Sequence, residues 1–488
     1  MKYTTLLILL LISSVSFSED LRGLWKGQGC TSDSTTVQIS LRVMVQQDSM
    51  IGVFLFEPTS FTLADSSFNG TDVHLLSSKL QMHNSKKDLL GRKLKGEAVT
   101  LYGEIKFDGA VTANKNNLSG EFTYLGKVYH AELYRGDHSA FRPQEPQKPF
   151  PYYSEDVKFT NKKDSVVLSG TLIRPNKEGK FPAVILKGGS NPLNRDGESN
   201  HHKPFLVLAD YLTKHGIAVL RYDDRGIGKS TGDFWKSTAL DFAGDLKAGF
   251  ELLSERKDIK SDEIGLIGHS EGGMVVSMAA SQCNNFNFLI MLAGPGLSLS
   301  NVFDHQNELN YKNGESSKEQ FDFWKKLDNE IYKLIDQDLG SKEIFNALSH
   351  YGDEYVHLAI FSTTEDAEND IYKKIMFVSI LGERTSVHHL FNLKANPCDY
   401  LEKLTCPVLS LNGSNDMQVN AQINQRAIRQ ALLKAENKDF KILELEGLNH
   451  SFQECKIGSI KESATIEQTF SPHTLDLLTT WILDHVEE

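Results

Sequence analysis

Ser270 lies in Gly268-His269-Ser270-Glu271-Gly272-Gly273, a G-x-S-x-G arrangement. A serine hydroxyl is a weak nucleophile. It needs a base to take its proton, and the base needs a carboxylate to orient it. Two loops downstream offer that pair: GSNDMQV supplies Asp416 and EGLNHSF supplies His450. The chemistry these three residue types support together is acyl transfer through a covalent acyl-serine. Its tetrahedral intermediate requires two N–H donors for the oxyanion. The backbone of Glu271, the residue after the serine, is one donor, and its carboxylate reads as solvated or paired. The second is placed among Gly189, Ser190 and Asn191 in the turn GGSNPLNRD, since Pro192 carries no N–H. His269 competes as a base, but its place beside the serine points it away from the hydroxyl, and it reads as packing.

These residues need a rigid frame. Residues 264–267 form a short apolar run and residues 274–280 a second one, so Ser270 falls between a buried strand and a buried helix. That is the setting of a nucleophile elbow, with small residues at Gly268 and Gly272 to avoid clashes across a strained turn. The helix N-terminus behind Ser270 aims N–H groups at a developing anion. Asp416 and His450 each follow a predicted strand, residues 408–412 and 440–445, where open α/β sheets bind ligands. From residue 152 onward strands and helices alternate. An antiparallel pair at 156–160 and 166–174 leads to strands at 183–187, 217–222 and 288–292. Helices are expected at 204–215, 239–253, 421–433 and 473–485. This rhythm predicts a doubly wound α/β sheet. Residues 298–399 interrupt it without a strand signal. Phe321, Trp324, Leu327, Ile331 and Leu334 recur there at helical spacing, which predicts a helical cap whose apolar stripe packs onto the sheet.

Upstream, residues 19–135 alternate in short segments (36–45, 51–56, 99–107, 118–124 and 127–134) broken by Gly, Asn and Asp. This predicts a small all-β sandwich or barrel. Residues 136–151 read as a linker, with four prolines between Pro143 and Pro151. Residues 1–18 place Lys2 ahead of the apolar run 6–12, with Ser16 and Ser18 at cleavage positions, the pattern of a secretory signal peptide. The expected location is therefore secreted or periplasmic, with no membrane span. The formal net charge of −12 over 488 residues argues against nucleic acid and anionic membranes as partners. Five cysteines at 30, 283, 398, 406 and 455 show neither a disulfide framework nor zinc spacing, and read as buried thiols.

The segments LADYLTKHGIAVLRYDDRGIGKSTG (208–232), IGLIGHSEGG (264–273), CPVLSLNGSNDMQV (406–419) and LNHSFQE (448–454) resemble secreted or periplasmic bacterial α/β-hydrolases of the EstD esterase type. Those are related to the serine aminopeptidase (S33-like) group. The resemblance runs from about residue 152 to the C-terminus, and the β-domain is similar to one such esterases carry ahead of the hydrolase. It implies an α/β-hydrolase fold with a helical cap, and hydrolysis of a small-molecule carboxylic ester. Ser270, Asp416 and His450 fall in the triad positions, and no metal or organic cofactor is implied. The family's usual Gly-Ser-Gly before proline is here Gly189-Ser190-Asn191, with asparagine tolerating left-handed backbone. Asp223, Asp224 and Arg225 match a motif read as a paired-charge turn, and Arg195 and Asp196 brace the oxyanion turn or line the pocket. The alternative reading is an aminopeptidase on the same triad. It requires a carboxylate for the substrate ammonium, and the cap acids Glu308, Asp322, Glu330, Asp353 and Glu354 read as solvated.

Overall fold

A computed structural model describes residues 8–13, 23–30, 36–46, 49–58, 80–82, 85–88, 91–100, 103–111, 117–124 and 127–135, and residues 142–486 apart from 147, 201, 284 and 359–366. The chain forms two units, Lys2–Phe141 and Arg142–Glu488.

In the second unit the apolar runs become eight strands: β1 (Tyr153–Asn161), β2 (Val166–Arg174), β3 (Phe181–Lys187), β4 (Ala218–Tyr222), β5 (Ile259–His269), β6 (Leu289–Leu292), β7 (Val408–Gly413) and β8 (Phe440–Leu445). They form one sheet in the order β1-β2-β4-β3-β5-β6-β7-β8. The first two strands are antiparallel to each other and β2 is antiparallel to β4, while every pairing from β4 to β8 is parallel. Parallel strands buried on both faces need unbroken apolar sequence. Successive side chains of β3 accordingly enter two separate cores. Ala183 and Ile185 join helices α2 (Ala239–Ser254) and α3 (Glu271–Gln282), whereas Val184 and Leu186 join α1 (Pro204–Lys214) and the closing helix (Pro472–Asp484). Helix α2 starts on a capping box in which Thr238 and Asp241 satisfy each other's backbone N–H.

Between β6 and β7 lie the helices of the cap: α4 (Leu299–Lys312), α5 (Lys318–Asp336), α6 (Ser341–Leu348), α7 (Gly352–Val356), α8 (Ala367–Arg384), α9 (Val387–Lys394) and α10 (Cys398–Leu401). The apolar stripe of α5 does not pack onto the sheet as expected. Phe323, Leu327, Ile331 and Ile335 meet Ile344, Leu348, Phe377 and Leu381 in a core belonging to the cap itself. An insertion of this length buries enough apolar surface to form its own layer. Phe321, expected in the stripe, instead stacks on Tyr311 at 5.1 Å.

The end of the proline-rich stretch belongs to the hydrolase unit. The Arg142 guanidinium donates to the carbonyls of Ile466 and Ala464, each at 3.0 Å. The Gln144 amide donates to Phe470 O at 2.7 Å and accepts from the Thr469 and Phe470 N–H groups at 2.6 and 2.9 Å. Proline prevents regular structure but leaves neighbouring side chains free to anchor. A fragment starting before Arg142 is therefore expected to melt at a higher temperature than one starting at Tyr152, as scanning calorimetry would show.

Among the described residues the first unit carries one sheet of ten strands. Its edge strands, Leu80–Met82 and Ser85–Asp88, are neighbours in the chain. The expected strand 99–107 is corrected: it spans the ends of two antiparallel strands, Gly91–Thr100 and Gly103–Val111, with Thr100 paired to Gly103. Ile8–Ser13, inside the run read as a leader, pairs with Ser49–Pro58. The rest of the leader, residues 136–141 and the Cys30 side chain lie outside the described residues.

Candidate active site

Ser270 joins β5 to α3 with φ 58° and ψ −129°, left-handed backbone that a non-glycine residue adopts only when its surroundings impose it. The glycines impose it. A Cβ on Gly268 would lie 2.2 Å from Gly272 O, and one on Gly272 would lie 2.4 Å from Lys187 O. The Ser270 N–H donates to Leu292 O at 2.8 Å, which fixes the turn to the end of β6.

The loops after β7 and β8 bring Asp416 and His450 together. Asp416 Oδ2 accepts from His450 Nδ1 at 2.8 Å, and both side chains are buried. The other carboxylate oxygen, Oδ1, accepts from the N–H groups of Gln418 and Val419, each at 2.8 Å. The His450 ring lies 4.8 Å from that of His269, the residue before the serine. The pair is thus seated beside the elbow. His269 Nε2–H donates to His450 O at 2.9 Å. Burial pushes its imidazole down to about 4, with neighbouring His450 adding to the effect, so it remains neutral over the ordinary pH range. His269 holds the His450 loop and its Nε2 is engaged there, in keeping with a packing role.

Of the three turn residues, Gly189 lies against the serine. A Cβ built on it would lie 3.1 Å from Ser270 Cβ and 3.4 Å from Oγ. Ser190 is half-buried, Asn191 is exposed, and Asn191 does not use the left-handed region that its type tolerates. The turn is held by the expected charge motif. Lys187 Nζ, buried at the end of β3, lies 2.6 Å from Asp224 Oδ1, while Asp224 Oδ2 accepts from Leu193 N at 3.1 Å. Asp223 accepts from the N–H of Arg195 at 2.9 Å and from its guanidinium at 2.7 Å. Burial pushes the Asp223 carboxyl up, but the bonds from Arg195 outweigh it and hold the group below its usual range. Arg195 and Asp196 both brace: Asp196 accepts from Arg221, behind the turn. Arg225 reaches past it to Asp245 and Asp164 at 2.7 and 2.6 Å.

The Glu271 carboxylate, expected to be solvated or paired, is paired, and deeply. Its side chain is 2% exposed, and Oε2 lies 3.2 Å from Nε2 of His388, itself 1% exposed, on α9. Nothing in the spacing pointed to His388, which is more than a hundred residues from the elbow in the chain. The five cap acids are each matched by a lysine: Glu308–Lys312, Asp322–Lys318, Glu330–Lys333, Asp353–Lys374 and Glu354–Lys326, at 3.4, 2.6, 2.7, 2.7 and 2.7 Å. The cysteines 283, 398, 406 and 455 are free thiols. Among the described residues no group of His, Cys, Asp and Glu is arranged to hold a metal ion, and no helix is long and apolar enough to cross a membrane.

The family described as serine aminopeptidase, S33, matches residues 196–454. The chain is 30% identical to esterase EstD of Thermotoga maritima over 157 residues, which is 32% of this chain and 37% of that protein. It is 36% identical to a proline iminopeptidase of Clostridioides difficile over 103 residues, 21% of this chain and 31% of that one. Each match thus spans well under half of the relative's own length. A solved esterase of Pyrococcus furiosus aligns at 19% identity with a TM-score of 0.43, over 69% of this chain and 92% of that one.

Proposed function

The chain belongs to the serine aminopeptidase (S33) family of α/β-hydrolases, and on that premise we propose that it is an exported serine esterase. Ser270 attacks the carbonyl of a carboxylic ester. His450 takes the hydroxyl proton and returns it to the leaving alcohol, while Asp416 keeps the imidazole in the tautomer that leaves Nε2 free to accept. The N–H of Glu271 and one from the turn at Gly189 bind the oxyanion, and water then releases the acid by the reverse sequence. The observation that carries this reading is the buried 2.8 Å His450–Asp416 pair seated beside a serine held in left-handed backbone.

The alternative on the same machinery is an aminopeptidase, favoured by the family's description and by the iminopeptidase relative. Such an enzyme must hold a terminal ammonium, and burying that charge without a partner is costly. The five cap acids are already paired with lysines and Glu271 with His388, which supports the ester. Short-chain aryl esters are therefore expected to be cleaved with a kcat/KM at least a hundredfold above that of alanine or proline anilides. A panel of both substrate types measures this. A preference for anilides that disappears when one cap carboxylate is changed to its amide would establish the aminopeptidase.

The β-unit supplies none of these groups, so the fragment starting before Arg142 should retain hydrolysis of a small activated ester. An inactive but folded fragment would assign the β-unit a part in the site. For export, the leader at 1–18 predicts a mature N-terminus near residue 19, which N-terminal sequencing of protein from the periplasm or medium reads directly. An intact Met1 there would refute cleavage.

A further inference from the structure

The acid beside the nucleophile is unusual in its setting. Glu271 is the first residue of α3, its side chain sealed from solvent. Around it the cap and the sheet layer meet. The His388 ring packs 4.6 Å from Phe234, 5.3 Å from Phe242 and 6.2 Å from Trp235, and its backbone N–H donates to Trp235 O at 3.2 Å. Asn392, one turn further along α9, places its side-chain amide 3.1 Å from His388 Nε2, where the amide oxygen is the end compatible with an Nε2–H given to Glu271. Two polar atoms of this cluster have no hydrogen-bond partner among the described residues: Glu271 Oε1 and His388 Nδ1. A purely structural contact among aromatic rings would be better made by apolar residues, because each unsatisfied buried group destabilises the fold. The cluster sits on the residue whose backbone N–H the proposed mechanism assigns to the oxyanion.

We propose that His388 is a positioning residue for the oxyanion site: by donating Nε2–H to the Glu271 carboxylate it offsets the charge next to the nucleophile and ties the cap to the elbow. This rests on the serine-hydrolase reading above. The effect is electrostatic. Attack on the ester creates negative charge on an oxygen bound by the Glu271 N–H. An unpaired Glu271 carboxylate, in a site of low dielectric and one side chain away, opposes that charge as it forms. Because the opposing charge acts on the transition state and not on the neutral ester, the effect falls on kcat and leaves KM nearly unchanged.

The test uses the full-length protein and an activated acetate ester, with active sites titrated in every variant by a serine-directed phosphonate. His388→Leu fills the aromatic pocket but removes the donor. It is expected to lower kcat at least tenfold with KM within threefold. His388→Gln, which can still donate to the carboxylate, should recover most of that loss. Glu271→Gln combined with His388→Leu should also recover most of it, since the residue left behind is then neutral. Should His388→Leu not fold, His388→Asn, too short to reach the carboxylate, takes its place alone and with Glu271→Gln. Kcat within threefold of wild type in the His388→Leu protein would overturn the proposal, as would a loss shared equally by KM or one that Glu271→Gln does not relieve. Absence of phosphonate labelling at Ser270 in the wild-type protein would instead refute the serine-hydrolase reading itself.

Discussion

Ser270→Ala is expected to lower turnover of an activated ester about a million-fold while leaving the fold intact, because the members of such a triad act as a unit. Folding should survive for local reasons. The left-handed backbone at φ 58° is imposed by Gly268, Gly272 and the bond from Ser270 N to Leu292 O, none of which involves the hydroxyl. The Cβ space is already occupied by serine, with Gly189 fitted against it. Alanine therefore introduces no new contact. A phosphonate should label Ser270 in the wild-type protein and no residue in the variant. Activity within tenfold of wild type, or labelling at another residue, would refute the assignment of the nucleophile.

The parts of the candidate site that were legible in the sequence share one feature. Ser270, Asp416 and His450 each come after a short apolar run that only a buried strand explains, and parallel strands deliver the loops at their carboxyl ends to one edge of the sheet. Glycines 268 and 272 were legible because backbone crowding demands them. The illegible parts depend on side chains meeting across layers. The α5 stripe has helical spacing whichever surface it meets, so its burial in the cap's own core could not be read from period alone. The hairpin within 99–107 was hidden because alternation continues on both sides of the Thr100–Gly103 pairing. Arg142 and Gln144 sit among prolines, yet their side chains anchor residues 464–470. His388 faces Glu271 only because the cap folds back over the elbow.

Asp416→Asn is expected to lower kcat about ten-thousand-fold, the loss that forcing the wrong histidine tautomer brings to a serine triad. The geometry leaves the new amide no favourable alternative. Asp416 Oδ1 already accepts two backbone N–H groups, from Gln418 and Val419, so the amide oxygen of the variant must occupy that place. Turning the amide round would set its NH2 against two donors. The NH2 group therefore falls where Oδ2 stood, 2.8 Å from His450 Nδ1. Two donors cannot share that contact, so Nδ1 must give up its proton and accept. The proton then resides on Nε2, the atom that should receive the serine's. His269 keeps the backbone of the loop in place through its bond to His450 O. Little stability should be lost, since the amide preserves the shape and all three hydrogen bonds. The pH profile gives a second readout. Wild-type turnover should rise through an imidazole ionisation and level off once the base is neutral. In the variant the base is blocked, the serine proton must leave to solvent hydroxide, and the residual rate should keep climbing with pH. A variant within a hundredfold of wild type, with an unchanged plateau, would show that Asp416 does not orient His450.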